Sequence, residues 1–271
     1  MPMLPRVALR LAYDGSCFSG FQRQPKRRTV EGDLLRVLKC INAIRDPKSA
    51  HYRSSSRTDR GVSALGNVVS IDTAFDLSKL PRSINSNAKD LWCTGTAIIP
   101  DDLNVRYARS RTYACYLLDT DHDMSSMRRA AKSFLGTHDF SRYARVDNRY
   151  PEKTIYRLEM ERIGDLIEVI IEGNSFLWNQ VRRMAWALDH VGKGYAKPAA
   201  IMPEKFALRR IGLIPAENLL LIAVDIGYDF ELPNKFEKYL VEIGNRRISS
   251  FIKSKMFETM LEDLSSCRSA V

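Results

Sequence analysis

The sequence is poor in the residues from which metal centres and disulfide frameworks are built. Its 271 residues include five cysteines, which are scattered and never form a CxxC pair, and four histidines, which lack the spacing of metal ligands. An odd number of dispersed cysteines indicates reduced thiols, as in a cytoplasmic protein. We therefore expect neither a metal site nor a disulfide framework.

Several other signatures are also missing from the sequence. It has no run of about eighteen apolar residues that would cross a bilayer. The stretch MPMLPRVALRLAYDG lacks the cationic and apolar regions of an export signal. A P-loop, a GxGxxG fingerprint, a GxSxG elbow and an HExxH helix are absent as well. We therefore expect a cytoplasmic protein with no membrane segment and no cofactor.

Positive charge is what the sequence has in excess. Lysine and arginine number 42 against 32 aspartates and glutamates, which gives a formal net charge of +10 and a pI near 9.4. The field of such a chain attracts polyanions, so RNA, DNA and anionic membranes are the candidate partners. The run of Lys26, Arg27 and Arg28 is either a solvated loop or a phosphate contact.

The hydrophobic pattern predicts an α+β protein. Apolar residues alternate with period two in some segments and recur at helical spacing in others. Strands are predicted at 7–12, 67–73, 97–99, 113–118 and 218–226, a hairpin at Gly164-Asp165, and helices after Thr29, at 124–135, at 176–192 and within 235–264. This grouping favours an antiparallel sheet over a doubly wound parallel one. We place a boundary at 100–104, between an N-terminal lobe (1–103) and a C-terminal lobe with a helical tail (104–271).

The segment SSSRTDRGVSALG contains the main candidate for a catalytic residue, Asp59. Asp59 stands between Arg57 and Arg60, and flanking cations favour the ionised form of a carboxyl group, so we expect a carboxylate at neutral pH. Four small residues follow Asp59: Gly61, Ser63, Ala64 and Gly66. Their short side chains are expected to let a planar ligand approach the backbone. From composition alone, the alternative is a surface cluster of arginine and aspartate without a catalytic role.

This segment resembles the catalytic motif of the tRNA pseudouridine synthases of the TruA family, (G/S/A)RTDxGVxA. Five further stretches resemble motifs of the same family in the same order: YDGSCFSGFQRQ, SRTYACYLLD, FLGTHDFSRY, GNSFLWNQVRRM and AENLLLIAVDIGY. Together the matches span about residues 6–228, whereas the stretch after Asp229 matches nothing and its function stays open.

The resemblance implies roles for individual residues. Asp59 becomes the catalytic nucleophile, Tyr113 the aromatic residue that stacks on the target uracil, and Arg182 the partner of the catalytic carboxylate, with Arg183 as the alternative. Helical spacing supports this choice if Leu177, which we count among the substrate-binding residues, shares a helix face with Arg182. The other residues expected to bind substrate are Arg57, Arg60, Gln22, Arg23, Lys26, Arg27 and Arg28. For Arg57 a structural role in its loop is the alternative.

The resemblance also implies an architecture and an activity. The expected fold has two α/β lobes whose antiparallel sheets join across a central RNA-binding cleft, in a homodimer that binds tRNA. The expected reaction is the isomerisation of uridine to pseudouridine, without a cofactor, in the anticodon stem-loop. Two other functions stay open at this point: a non-catalytic RNA-binding protein on the same scaffold, and a glycosidase-like hydrolase that releases free uracil.

Overall fold

A computed structural model describes residues 4–145, 150–233 and 237–268. Its contacts divide the chain into two compact units, Met1–Leu232 and Pro233–Val271. The predicted boundary at 100–104 falls inside the first unit and stays a prediction. No helix of the described residues is long and apolar enough to span a bilayer.

Strands and helices alternate in groups along the first unit. Its strands are β1 (Arg6–Tyr13), β2 (Arg53–Ser54), β3 (Ser63–Asp72), β4 (Leu91–Ile98), β5 (Ser110–Leu118), β6 (Gly136–Asp139), β7 (Glu152–Ile163), β8 (Leu166–Gly173) and β9 (Leu219–Asp225). Its helices are α1 (Val30–Cys40), α2 (Leu80–Asn87), α3 (Met124–Lys132) and α4 (Gln180–Gly192). The second unit contains one helix, α5 (Glu237–Arg268), where the sequence predicted one or two.

The nine strands form one sheet in the order β4-β1-β3-β9-β5-β8-β7-β6, with the short β2 paired to β3. Every pairing within the described residues is antiparallel except one: β3 and β9 run parallel where Ser63 pairs with Leu220 and Ala64 with Leu221. The sheet therefore consists of two antiparallel halves, β4-β1-β3 and β9-β5-β8-β7-β6, that meet at a short parallel junction. This confirms the predicted α+β class with a mainly antiparallel sheet.

Two glycines after Asp59 make that junction possible. A Cβ atom on Gly66 would lie 2.4 Å from the carbonyl oxygen of Ile222 on β9, and one on Gly61, whose φ is +90°, would lie 2.7 Å from Oε1 of Glu217. A larger residue at Gly66 would clash with the backbone of β9, and one at Gly61 would be strained by its positive φ. The prediction that these small residues clear space for a ligand is wrong, because they make room for the protein itself.

Each half of the sheet packs its own hydrophobic core. The first core lies between β1, β3 and β4 and the helices α1 and α2, and its fully buried side chains include Leu9, Leu34, Leu38, Ile71, Leu80, Ile84 and Leu91. The second lies between β5, β7 and β8 and the helices α3 and α4, and includes Met127, Phe134, Tyr143, Ile171, Met184 and Leu188. Burial of this much apolar surface is the main term that stabilises both halves.

Most predicted elements are present, with differences at their ends. Thr29 caps α1 as predicted, its hydroxyl accepting from the amide of Gly32 at 3.2 Å. Helix α3 ends three residues before the predicted end, and α4 begins at Gln180, four residues later than predicted. Leu177 therefore lies before the helix, and the argument that it shares a helix face with Arg182 is wrong. Helix α2 was not predicted.

Candidate active site

A cleft of about 720 Å³ runs between the two halves of the sheet. The first half contributes residues 54–59, from the end of β2 and the loop that follows it, together with Gln22. The second half contributes Tyr113 from β5 and residues 175–182 from the segment that leads into α4. The volume falls within the range of about 300–1,000 Å³ that is typical of small-ligand sites. Residues of two motifs that are distant in the sequence thus line one cavity.

A buried polar cluster holds the loop that carries Asp59. The side-chain amide of Asn67, which is fully buried, donates to the hydroxyl of Tyr13 and to the carbonyl of Ser56, both at 3.1 Å. The hydroxyls of Tyr13 and Thr58 are 2.8 Å apart and hydrogen-bonded. Burial raises the pKa of Tyr13, so this hydroxyl keeps its proton. Because buried polar groups are costly to leave unpaired, the cluster fixes the loop in one conformation.

Both carboxylate oxygens of Asp59 have partners from the other half of the protein. The indole Nε1 of Trp178 donates to Oδ1 at 3.1 Å, and Nη1 of Arg182 lies 3.7 Å from Oδ2. Burial raises the pKa of Asp59 above the ordinary value of an aspartate, and the charge of Arg182 and the hydrogen bond from Trp178 oppose that shift. A raised pKa makes the carboxylate a stronger base and nucleophile than an exposed one.

The flanking arginines do not have the role predicted for them. Both Arg57 and Arg60 are exposed, and in the described part of the chain the cation that acts on Asp59 is Arg182. The prediction that Arg57 and Arg60 keep Asp59 ionised is therefore wrong, and the pKa moves up where we expected it to move down. Arg57 lines the cleft, whereas Arg60 does not.

Of the two neighbouring arginines on α4, the first points to Asp59. Nε of Arg182 donates to the carbonyl of Ile214 at 2.8 Å, which leaves Nη1 to face the carboxylate. Arg183 instead donates to the carbonyl of Ala144 at 2.6 Å and lines no part of the cleft. A step of one residue turns a helical side chain by about 100°, which accounts for the difference.

Tyr113 lines the same cleft from β5, which is separated from the junction with the first half by one strand, β9. Its neighbours in the sheet are Ile171 on β8 and Leu221 on β9, and its ring meets Phe176 edge to face at a centroid distance of 5.5 Å. Burial raises the pKa of Tyr113 to about 12. The hydroxyl is therefore protonated at neutral pH, and the ring rather than a phenolate is what this residue offers to a ligand.

The remaining residues expected to bind substrate divide into two groups. Gln22 and Leu177 line the cleft, whereas Arg23, Lys26, Arg27 and Arg28 do not. Arg28 donates to Asp90 at 2.7 Å and to Asp33 at 2.9 Å, and its guanidinium lies over the ring of Phe18. These contacts favour a structural role for Arg28.

The sequence analysis missed Trp178, which is a direct partner of Asp59. Its ring is half-exposed in the cleft wall, and the guanidinium of Arg145 lies over it at 4.5 Å from the centroid. The available signal was an aromatic residue directly after Leu177 in the FLWNQVRRM motif. Sequence spacing alone does not predict that Trp178 reaches Asp59, because Asn179, at φ +66°, turns the chain between Trp178 and the helix.

Replacing Trp178 with phenylalanine keeps an aromatic ring but removes the indole donor. Because that N–H stabilises the charged carboxylate, its loss is expected to raise the pKa of Asp59 further. The acid limb of the pH–rate profile should move to higher pH, with a fall in kcat of about tenfold at neutral pH. Trp186→Phe, the same change outside the cleft, is the control. An unchanged acid limb in Trp178→Phe would show that the hydrogen bond has no influence on the carboxyl group.

No group of three or more histidine, cysteine, aspartate or glutamate side chains that could hold a metal ion occurs in residues 4–145, 150–233 and 237–268. The groups closest to the chemistry are the carboxylate of Asp59 and its two partners, the guanidinium of Arg182 and the indole of Trp178.

Comparison with known proteins identifies the family. A family model described as tRNA pseudouridine synthase matches residues 130–229. A tRNA pseudouridine synthase A of Thermococcus sibiricus is 39% identical over 263 residues, which cover 95% of this chain and 98% of the relative. That of Pyrococcus furiosus is 41% identical over 249 residues, covering 88% and 91%. That of Methanococcoides burtonii is 37% identical over 252 residues, covering 90% of each.

Solved structures were also matched, among them a crystal structure of a Cbf5-Nop10-Gar1 complex. It is 13% identical, covers 67% of this chain and 54% of that chain, and has a TM-score of 0.33, too low to carry an argument. The relatives decide the assignment, since their identity extends over nearly the whole of both chains. The chain belongs to the tRNA pseudouridine synthase family.

Proposed function

We propose that this protein is an isomerase that converts uridine to pseudouridine in tRNA, with Asp59 as its nucleophile. The observation that carries the proposal is the position of Asp59, a partly buried carboxylate in a cleft that also contains Arg182 and Tyr113. The names of the relatives support the activity, and the net charge of +10 suits a polyanionic substrate.

The reaction rearranges bonds without any outside reactant. The N1–C1′ bond of the uridine breaks, the uracil turns while it is held, and a C5–C1′ bond forms. The proton on C5 leaves and N1 gains one, so atoms and electrons balance. Asp59 can take three routes: addition to C6 of the uracil, attack on C1′, or removal of a proton from the sugar to give a glycal. Each route needs the ionised carboxylate, which Arg182 and Trp178 stabilise.

Access to the reacting atoms requires the uridine to leave its stack. Extrusion of a base costs a few kcal/mol, and aromatic stacking and phosphate contacts offset that cost. Tyr113 offers a ring inside the cleft, and Arg57 is an exposed cation beside Asp59 on the cleft wall. We propose that Tyr113 stacks on the extruded uracil. We also propose that Arg57 contacts the RNA at the position that the base occupied before it was extruded.

The stacking role predicts a difference between two substitutions at Tyr113. Tyr113→Phe keeps the ring and loses only a hydroxyl that stays protonated at neutral pH, so kcat should fall less than about tenfold. Tyr113→Ala removes the ring and should lower kcat/KM by roughly tenfold to a hundredfold. Initial rates on one tRNA at saturating and limiting concentrations measure both effects. An equal loss of kcat/KM in Tyr113→Phe and Tyr113→Ala would assign the function to the hydroxyl instead.

Tritium release from tRNA that contains 5-tritiated uridine tests the activity, because only the exchange at C5 expels the label into water. Chemical mapping of pseudouridine in the product then locates the modified nucleotide. Free uracil without pseudouridine would identify a hydrolase, and tRNA binding without either product would identify a non-catalytic RNA-binding protein. Either outcome would overturn the proposal.

Three finer points belong to the same proposal: action in the anticodon stem-loop, a homodimer and a cytoplasmic location. They rest on the family resemblance of the motifs, in particular the RTDRGVSA segment. Mapping on isolated anticodon arms tests the first point. Light scattering with and without tRNA tests the second, and fractionation of cells tests the third.

A further inference from the structure

Tyr107 is a further aromatic residue of the cleft, in addition to Tyr113 and Trp178. Tyr107 is 81% exposed, the largest fraction among the large hydrophobic side chains that the structure describes, yet it lines the same cavity as Asp59. It belongs to a short turn of 3₁₀ helix, Val105–Tyr107, that leads into β5. A scattered exposed aromatic needs no explanation, but one inside the catalytic cleft points to a ligand.

The turn that carries Tyr107 is held rigidly. The side chain of Asn104 accepts from the amide of Arg106 at 3.1 Å, and its carbonyl accepts from the amide of Tyr107 at 2.9 Å. Val105 is fully buried in the first core. The backbone around the ring is therefore fixed before any ligand arrives, which lowers the entropy lost on binding.

Arg111 connects this turn to the loop that carries Asp59. Arg111 as a whole is 7% exposed, and its guanidinium donates to the carbonyl of Arg106 at 2.7 Å and to that of Ala108 at 3.2 Å, on either side of Tyr107. It also donates to the carbonyl of Ser55 at 3.3 Å, four residues before Asp59. One buried side chain therefore fixes the position of the turn relative to the catalytic loop.

The surroundings of the turn are positively charged. Arg106 is exposed beside Tyr107 and lines the cleft. Burial lowers the pKa of Arg111, and no carboxylate of the described residues offsets that effect. Guanidinium groups bind phosphate oxygens well. An exposed ring next to exposed guanidinium is the combination by which proteins bind single-stranded nucleic acid.

We propose that the turn Val105–Tyr107 is a second nucleotide site of the cleft, which binds an unpaired nucleotide adjacent to the extruded uridine. Tyr107 stacks on the base and Arg106 binds its phosphate. The inference rests on the proposed function, since it presupposes an RNA substrate. It narrows the substrate to RNA in which a neighbour of the target uridine is itself free to unstack, as in a loop or at the end of a stem.

Substitutions at Tyr107, combined with removal of single bases from the RNA, test whether this residue binds a base next to the target. RNA stem-loops of anticodon-arm sequence are made intact and with an abasic nucleotide on the 5′ or the 3′ side of the target. Their Kd values are measured with the wild-type protein, Tyr107→Ala and Tyr107→Phe. The matched control is Tyr156→Ala, which alters a 54% exposed tyrosine on β7 outside the cleft.

With wild type, Tyr107→Phe and Tyr156→Ala, one of the two abasic RNAs should bind about tenfold more weakly than the intact RNA. With Tyr107→Ala, the intact RNA should already bind about tenfold more weakly, and the abasic change should add nothing. The proposal would be overturned if the abasic RNA still bound tenfold more weakly than the intact RNA in Tyr107→Ala. It would also be overturned if both abasic RNAs bound the wild type as tightly as the intact RNA. Tritium release by the wild type on the intact RNA reports separately on the proposed activity, so the two failures are distinguishable.

Discussion

Replacing Asp59 with asparagine is expected to abolish pseudouridine formation and to leave tRNA binding nearly unchanged. Asparagine has almost the same shape as aspartate, but its amide neither attacks carbon nor accepts a proton. Tritium release should fall by roughly a thousandfold or more. The Kd for tRNA should stay within about a factor of three, because the aromatic and cationic side chains to which we assign RNA contacts are unaltered.

The matched control is Asp102→Asn, which makes the same change at an exposed turn between β4 and β5 outside the cleft. Its activity should equal that of the wild type. Because Asp102 lies outside the cleft, a loss of activity in this variant would show that loss of an acidic side chain lowers activity without any role in the cleft. Full activity of Asp59→Asn would remove Asp59 from the nucleophile role.

The same variant should be at least as stable as the wild type at neutral pH. A carboxyl group whose pKa is raised by folding stabilises the fold when protonated, and that contribution is lost as the pH rises through its raised pKa. The ionised Asp59 therefore costs stability at pH 7, and the neutral amide removes this cost. Thermal unfolding should give an equal or higher Tm for Asp59→Asn, with a difference that shrinks as the pH falls. A clearly lower Tm at pH 7 would mean that the ion pair with Arg182 outweighs the burial of the charge.

Local patterns sufficed to predict the elements that depend on local interactions. The alternation before Asp14-Gly15, the Thr29 cap and the hairpin at Gly164-Asp165 each need only a few adjacent residues, and the structure has β1, α1 and the β7–β8 hairpin where they were predicted. Helix ends were less accurate. The start of α4 depends on the left-handed backbone of Asn179, which hydrophobic spacing does not reveal.

The electrostatics of the site could not be predicted from sequence neighbours. Arg57 and Arg60 are close to Asp59 in sequence and were expected to set its charge, but both are exposed, and the charge that acts on Asp59 in the described part of the chain is that of Arg182. The groups that do act, Arg182 and Trp178, are more than a hundred residues away and reach Asp59 only because β3 and β9 join the two halves of the sheet. The family resemblance supplied Arg182, and nothing in the sequence analysis supplied Trp178 or the bonds of Arg111.

The second large loss of activity is expected when Arg182 is replaced. Arg182→Met keeps an unbranched apolar stem but removes the charge opposite Asp59, so the pKa of Asp59 should rise further. Removal of a preorganised charge from a catalytic site typically lowers kcat by roughly a hundredfold to a thousandfold. The acid limb of the pH–rate profile should move to higher pH, and part of the lost activity should return as the pH is raised. Arg182→Lys, which keeps a cation, should lie between Arg182→Met and the wild type.

Arg183→Met is the control that separates charge from position, since it removes the adjacent arginine of the same helix, which bonds to Ala144 and not to Asp59. Its acid limb should coincide with that of the wild type even if its Tm falls, because a structural loss does not change the pKa of Asp59. A shift of the acid limb in Arg183→Met and none in Arg182→Met would reverse the assignment. A loss of activity in Arg182→Met that is the same at every pH would mean that Arg182 binds substrate and does not govern the ionisation of Asp59.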